Sequence, residues 1–217
     1  MKPLLTGLLL LLLAWVPGAR AAAPELREGV DYVQIEAGAW TPRAGRVEVA
    51  EIFAYTCPHC AHFEPELQAW KRRQRADVDL VPVPVAYGGR GDVWARAYFA
   101  AQKLGIAGRS HAALFDALHE RGTLPRNPTA QELGAFFATL GVDGERFRAA
   151  MADPEVEAQV RKSAAWIRDA GLEGTPTVVV NGRYRVRGRD FADILRITDA
   201  LVARERAAAS RAAPTSP

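Results

Sequence analysis

Apolar and polar positions along the chain predict short strands and amphipathic helices. Residues Arg46–Tyr55 (RVEVAEIFAY) are rich in Val, Ile and aromatic side chains and carry apolar groups on both faces of an extended chain. This pattern is typical of a central strand that is covered on both sides. Residues Val78–Val85 predict a second strand. The two prolines in it favour the edge of the sheet, because proline cannot donate a ladder hydrogen bond.

Helical periodicity dominates the middle of the chain. A helix is predicted from Pro58 to about Arg75, because apolar residues recur there at helical spacing. After a glycine-rich break at residues 88–91, helical patterns separated by glycine and proline signals follow one another. These patterns cover Val93–Leu104, Ser110–Glu120, Ala130–Leu140, Gly144–Met151 and Glu155–Ala170.

The last part of the chain predicts a β-hairpin and one helix. Two β-rich runs, Thr177–Val180 and Tyr184–Val186, flank Asn181-Gly182, a dipeptide typical of tight hairpin turns. An amphipathic helix is predicted over Phe191–Arg206, and residues 207–217 are expected to form a disordered tail. The order of elements therefore predicts an α/β sheet domain that is interrupted by a helical insertion.

The first 23 residues have a different character. Lys2 precedes the apolar run Leu4–Val16, and the small residues of 19–23 follow Pro17-Gly18. A positive start, a short apolar run and a small-residue cleavage site are typical of a secretory signal peptide. The run is too short to span a bilayer comfortably, so an uncleaved anchor is only the alternative. We expect residues 1–23 to be removed on export.

The charge balance argues against a nucleic-acid partner. The whole chain has a formal net charge of +3, but two of its basic residues, Lys2 and Arg20, belong to the predicted signal peptide. Without them, 26 basic residues stand against 25 acidic ones, and no dense cationic block remains. The electrostatic pattern expected for nucleic-acid binding is therefore missing.

The chain has two cysteines, and both lie in the motif Cys57-Pro58-His59-Cys60, where the predicted central strand gives way to a helix. Both sulfurs are on the first helical turn, close enough to form a disulfide. Free N–H groups and the helix dipole favour an anion at Cys57. The dipole contributes roughly 0.3–1 kcal/mol, about one pKa unit at most. A strongly acidic thiol therefore needs direct N–H donors, and we expect His59 to help.

A Cys-x-x-Cys motif is also half of a zinc site, so other interpretations have to be weighed. Four histidines are available in principle to complete such a site: His59, His62, His111 and His119. However, two cysteines cannot form an all-thiolate site, and His111 and His119 are eight positions apart, which is wider than the usual ligand pair. We favour a redox pair without bound metal over a zinc site or an inert structural disulfide.

Two motifs and the order of elements together identify a family. The Cys-Pro-His-Cys motif after a strand, the helical insertion, and Gly174-Thr175-Pro176-Thr177 before a late strand resemble the DsbA family of bacterial thiol:disulfide oxidoreductases. The resemblance covers Gly29–Arg206. It implies a thioredoxin-like fold with an inserted all-helical domain and an oxidising cysteine pair that needs no cofactor. On this basis residues 24–87 and 171–206 form the thioredoxin-like domain, and residues 88–170 form the insertion.

The resemblance also implies roles for the motif residues. Cys57 matches the exposed nucleophile and Cys60 its buried partner, while Pro58 and His59 tune the redox potential. Pro176 matches a cis-proline that packs against the disulfide.

Thr175 would present its main chain to an extended substrate peptide. It departs from the valine common in family oxidases, and threonine also occurs in related isomerases, so the redox potential and the substrate preference remain open.

Two acidic residues match carboxyls of the family near the active site. Glu51 lies six residues before Cys57 in an otherwise apolar strand, and burial would raise its pKa and suit it to exchange a proton with Cys60. Glu64 lies four residues after Cys60 on the same helical face. A solvated strand carboxylate and an ordinary surface charge are the respective alternatives.

The function expected from these residues is the donation of the Cys57–Cys60 disulfide to newly exported proteins in the periplasm. One redox pair needs an external oxidant, and the resemblance implies a quinone-linked membrane protein of the DsbB type. We expect a monomer. A reductase or isomerase with the same motif is the nearest alternative, and a non-catalytic zinc-binding or chaperone-like module is the alternative from a different class.

Overall fold

A five-stranded mixed sheet lies at the centre of the molecule, whose computed structural model describes residues 25–88 and 92–212. In the order β1-β5-β4-β2-β3, β2 runs parallel to β3 and antiparallel to β4, and β5 is antiparallel to both of its neighbours. The strands are β1 (Tyr32–Gln34), β2 (Val47–Phe53), β3 (Val78–Pro84), β4 (Thr177–Val180) and β5 (Tyr184–Val186).

Helices cover both faces of this sheet. They are α1 (Pro58–Arg73), α2 (Val93–Lys103), α3 (Ala107–Phe115), α4 (Ala130–Thr139), α5 (Gly144–Met151), α6 (Pro154–Asp169) and α7 (Phe191–Ala212); α3 continues as a π-helical turn over Asp116–Glu120. Alternate residues of β2 enter separate apolar clusters: Val49 packs in the cluster that contains α1 and α7, and Ile52 in the one that contains α2–α6.

The predicted fold class is confirmed. Helices α2–α6 all lie between β3 and β4 in the chain, so they form the expected insertion in an α/β sheet. Every residue of β2 is buried, as its apolar character on both faces predicted, and β3 with its prolines lies at the edge. Strand β1 was not predicted. The proposed domain boundaries, 24–87, 88–170 and 171–206, stay a prediction.

The prediction of a disordered tail over 207–217 is wrong for its first part, because α7 continues to Ala212. Alanine has the highest helix propensity, and the segment after Arg206 is rich in it. The guanidinium of Arg206 also donates two hydrogen bonds to Asp77, at 2.6 and 2.8 Å, which hold this part of the helix to the sheet domain. The rest of the predicted tail, residues 213–217, and the predicted signal peptide lie outside the described residues. None of the described helices is both long and apolar enough to cross a membrane.

The hairpin between β4 and β5 contains the predicted Asn181-Gly182 turn. Both residues have positive φ, at 49° and 62°, as a type I′ turn requires. The Asn181 side chain accepts a hydrogen bond of 2.7 Å from the Glu48 N–H and donates one of 2.6 Å to Glu205. A Cβ added to Gly182 would lie 1.9 Å from the carbonyl of Gly38. Both the turn and the close approach therefore require glycine.

This contact predicts an unusually large cost for Gly182→Ala. Gly141 also has positive φ, but a Cβ there would meet nothing within 4 Å, so Gly141→Ala should cost only the backbone penalty of about 1–2 kcal/mol. Gly182→Ala should reduce the free energy of unfolding by a further 1–3 kcal/mol or so, because the Gly38 segment has to move. Urea unfolding of both variants measures the difference. Equal losses would contradict this account of the turn.

Candidate active site

A tight turn joins the central strand to α1 and places Cys57 at the start of that helix. Cys57 is the N-cap residue, and its N–H donates a 3.0 Å hydrogen bond to the Ala54 carbonyl. Pro58 occupies the first helical turn, where a missing N–H leaves no hydrogen bond unmade. The first turn of α1 contains no acidic residue, and the last turn is basic. The helix dipole favours an anion at Cys57, and no acidic side chain in the first turn opposes it.

The two cysteines differ strongly in exposure. Cys57 is half-buried, Cys60 is fully buried, and both are free thiols in this structure. The Cys57 Sγ lies 3.3 Å from the Thr175 carbonyl oxygen, which accepts the thiol hydrogen. The Thr175–Pro176 peptide bond is cis. The fold therefore brings together the two motifs on which the sequence analysis relied, although 118 positions separate Cys57 from Thr175.

Hydrogen bonds lower the pKa of the Cys57 thiol. Partial burial raises it, but hydrogen bonds from the Thr175 side chain, the Cys60 backbone N–H and thiol, and the His59 backbone N–H together outweigh burial. Each of these groups stabilises the thiolate. The His59 side chain itself is exposed, so in this structure His59 acts on the sulfur through its backbone N–H.

Burial has the opposite result at Cys60. Removal from solvent raises the pKa of this thiol, and the nearby Glu51 and Cys57 raise it further, although a backbone hydrogen bond at Ala54 and one from Thr175 partly oppose them. One sulfur of the pair is thus stabilised as an anion and the other as a protonated thiol.

Glu51 and Glu64 are both buried near the cysteine pair, so the interpretations as a solvated strand carboxylate and a surface charge do not apply. Burial raises the pKa of Glu51 well above its ordinary value, and Glu64 and Cys57 add to this effect. Burial also raises the pKa of Glu64 to about 7, against a hydrogen bond from Gln68. Neither carboxylate oxygen of Glu51 has a hydrogen-bond partner among the described residues. Burial therefore favours the protonated form of Glu51.

His111 on α3 lies beside these two acids. The sequence analysis did not predict this contact. The His111 Nε2 lies 3.6 Å from Glu64 Oε2, and its Nδ1 lies 2.8 Å from the Tyr55 hydroxyl. Burial lowers the pKa of His111 to about 4, so the ring is neutral at pH 7. Glu51, Glu64 and His111 are the one group of three or more potential metal ligands within 4.8 Å of one another in the described residues, and it contains neither cysteine.

A groove of about 440 Å³ opens beside Thr175. Thr175 connects this groove to the site, because it lines the groove and its carbonyl also contacts the Cys57 sulfur. Most of the side chains that line the groove are apolar, and Arg168 and Glu173 add one charge of each sign. The sequence analysis did not name Arg168 or Glu173, because the residues that line the groove come together only in the fold. The apolar side chains include Val85, Ala86, Tyr87, Ala164, Ile167 and Leu172.

Comparisons with known proteins agree with this arrangement. The family described as DSBA-like thioredoxin domain matches residues 48–197. The chain belongs to the DsbA family. It is 31% identical over 205 residues to the thiol:disulfide interchange protein DsbA of Pseudomonas aeruginosa, covering 93% of this chain and 96% of the relative. It is 37% identical to the DsbA of Burkholderia cepacia, covering 85% of this chain and 87% of the relative.

Solved structures of the DsbA family show the same fold. The crystal structure of the oxidoreductase DsbA from Xylella fastidiosa is 52% identical to this chain, with a TM-score of 0.81, covering 84% of this chain and 98% of that one. A crystal structure of Pseudomonas aeruginosa DsbA is 32% identical, with a TM-score of 0.75, covering 84% and 95% of the two chains. The resemblance inferred from the motifs is therefore confirmed, and with it the thioredoxin-like fold.

The unpartnered carboxyl of Glu51 predicts that its removal stabilises the protein. A buried polar group without a partner costs about 1–3 kcal/mol, so Glu51→Leu should increase the free energy of unfolding by a similar amount. Glu48→Leu is the matched control in the same strand. The Glu48 carboxylate is also buried, but it accepts 2.6 Å hydrogen bonds from the N–H groups of Trp40 and Thr41.

Glu48→Leu should therefore destabilise the protein. Urea unfolding at pH 7 compares the two variants with the unmodified chain. A loss of stability in Glu51→Leu as large as that in Glu48→Leu would show that Glu51 has stabilising partners.

Proposed function

We propose that this chain is a periplasmic thiol:disulfide oxidoreductase that donates its Cys57–Cys60 disulfide to exported proteins. One observation carries the proposal: hydrogen bonds lower the pKa of the half-buried Cys57, while burial raises that of Cys60, three residues away. Stabilisation of the Cys57 thiolate favours the dithiol form over the disulfide. A protein whose reduced form is favoured in this way gives its disulfide away readily.

Disulfide transfer proceeds in two exchanges. In the first, a substrate thiolate attacks the Cys57 sulfur, the Cys57–Cys60 bond breaks, and Cys60 leaves with the electron pair and takes up a proton. Glu51 supplies that proton, because burial raises the pKa of its carboxyl and so favours the protonated form. In the second, another substrate thiolate attacks the substrate sulfur of the mixed disulfide, and Cys57 leaves as a stable thiolate. The substrate is oxidised by two electrons, and the cysteine pair is reduced by two.

Thr175 and the groove beside it support the proposal that the substrate is a peptide chain. The Thr175 carbonyl lies against Cys57, so an extended chain that reaches this sulfur also reaches the main chain of Thr175. The mostly apolar lining of the groove suits the exposed apolar side chains of proteins that have not yet folded. We therefore assign Thr175 and Pro176 to substrate binding.

Turnover requires reoxidation from outside the protein. The Cys57–Cys60 pair is the chain's complete set of cysteines, so an external oxidant must restore the disulfide. Membership of the family supports a quinone-linked membrane oxidase of the DsbB type in this role. The signal-like sequence of residues 1–23 supports export to the periplasm, where disulfides persist.

Trapping of the mixed disulfide tests the proposed roles of the two cysteines. The oxidised protein should form disulfides in reduced, unfolded ribonuclease A and restore its activity. In the Cys60→Ser variant, the Cys57 thiolate should attack a disulfide of scrambled, disulfide-containing ribonuclease and release one ribonuclease thiolate. No second cysteine can resolve the resulting mixed disulfide, so mass spectrometry should find ribonuclease attached to Cys57. The matched Cys57→Ser variant should trap almost nothing, because Cys60 is buried. Efficient trapping by Cys57→Ser, or no oxidation of ribonuclease by the unmodified protein, would contradict the proposal.

A further inference from the structure

The turn that precedes Cys57 is held from outside by the helical insertion. The Cys57 N–H closes this turn on the Ala54 carbonyl at 3.0 Å. Tyr55 and Thr56 are its two central residues, and their carbonyls are therefore not used within the turn. Each accepts a hydrogen bond from a side chain that is distant in sequence, on the insertion between β3 and β4.

His119 binds the first of these carbonyls. Its Nε2 lies 2.6 Å from the Tyr55 oxygen. A carbonyl oxygen only accepts, so Nε2 of His119 carries the hydrogen. His111 contacts the side chain of the same tyrosine, because the Tyr55 hydroxyl lies 2.8 Å from His111 Nδ1. Two histidines that are too far apart in sequence for a usual zinc pair thus converge on one residue of the turn.

Arg126 binds the second carbonyl. Its Nη2 donates a 2.9 Å hydrogen bond to the Thr56 oxygen. The loop that carries Arg126 is fixed in turn, because the indole N–H of Trp94 donates to the Arg126 carbonyl at 2.8 Å. The guanidinium is therefore supported from α2 while it holds the turn before α1.

A local departure from α-helical geometry presents His119 to the turn. Helix α3 ends at Phe115, and the chain continues as a π-helical turn over Asp116–Glu120. Such turns are rare and occur often at functional sites. The wider turn places His119 on the side of the helix that faces Tyr55. The sequence has no proline or glycine within the turn that would have predicted it.

We propose that His119 and Arg126 are positioning residues for the Cys57 thiolate, acting through the carbonyls of the Tyr55-Thr56 turn. These hydrogen bonds fix the direction in which the chain leaves β2 and enters α1. They thereby fix where the Cys57 sulfur lies relative to the backbone N–H groups at the start of the helix. The inference rests on the proposed role of Cys57 as nucleophile, and it assigns to the helical insertion a direct part in the chemistry of the sheet domain.

The test is the rate at which iodoacetamide alkylates Cys57 as a function of pH in the full-length reduced protein, carrying Cys60→Ser so that one thiol reacts. Loss of one hydrogen bond changes an equilibrium by about two- to tenfold. His119→Leu should therefore raise the pKa of Cys57 and slow alkylation at pH 6 by that factor. His119→Gln keeps an N–H donor on a side chain of similar length, so it should restore most of the rate.

Arg126→Ala provides an independent arm, because Arg126 is exposed and its removal leaves the apolar core unchanged. It should shift the pKa of Cys57 in the same direction as His119→Leu. Arg121→Ala is the matched control: Arg121 is also exposed, but its guanidinium pairs with Asp116 rather than with a carbonyl of the turn. This control should leave the alkylation profile unchanged.

The outcomes separate the two proposals. An unaltered Cys57 profile in His119→Leu and Arg126→Ala, whatever their stability in urea, would overturn the positioning role and leave the proposed function intact. If Cys57 reacts with the pH dependence of a free cysteine even when His119 and Arg126 are intact, the stabilised thiolate itself is contradicted. A shift in both variants that His119→Gln reverses would establish that the insertion positions the nucleophile.

Discussion

The hydrogen bonds to the Cys57 sulfur are the interaction on which the rest of the structure depends. They exist because a fully buried strand ends one tight turn before a helix begins, so the sulfur lies among N–H groups that have no partner within the helix. The loop before Pro176 comes from the far end of the chain and adds a hydrogen bond from the Thr175 side chain. Without these donors, partial burial alone would make the thiol less acidic than a free cysteine.

Burial around this sulfur has opposite consequences for neighbouring groups. Cys60 and Glu51 lie deeper than Cys57 and lack enough donors to offset the loss of water, so burial raises the pKa of both groups and favours their protonated forms. The result is an acidic thiol directly above groups that resist ionisation. A single exchange reaction uses both properties, since one sulfur must leave as an anion and the other must be protonated. The cost falls on stability, because the carboxyl of Glu51 is buried without a hydrogen-bond partner in the part of the chain that the structure describes.

Local patterns predicted most of the fold, and they did so where the signal is contained in a few adjacent residues. The apolar run of β2, the Asn181-Gly182 turn and the proline-rich edge strand are examples. Strand β1 escaped prediction because three residues give no period, whereas the equally short β5 was predicted from the Asn181-Gly182 turn before it. Helix α7 extends beyond Arg206 because alanine favours helix even in a simple sequence. The two motifs located the cysteine pair and Thr175-Pro176. The histidines on Tyr55 could not be predicted, because their partner lies more than 50 positions away.

The relative stability of the dithiol and disulfide forms tests the central claim most directly. If the native structure stabilises the Cys57 thiolate, that stabilisation is lost on unfolding, and it is present only when the disulfide is open. Urea unfolding of the two forms at pH 7 compares them. We predict that the dithiol form unfolds at the higher urea concentration, even though a disulfide restricts the unfolded chain. Equal midpoints, or a more resistant disulfide form, would contradict the account.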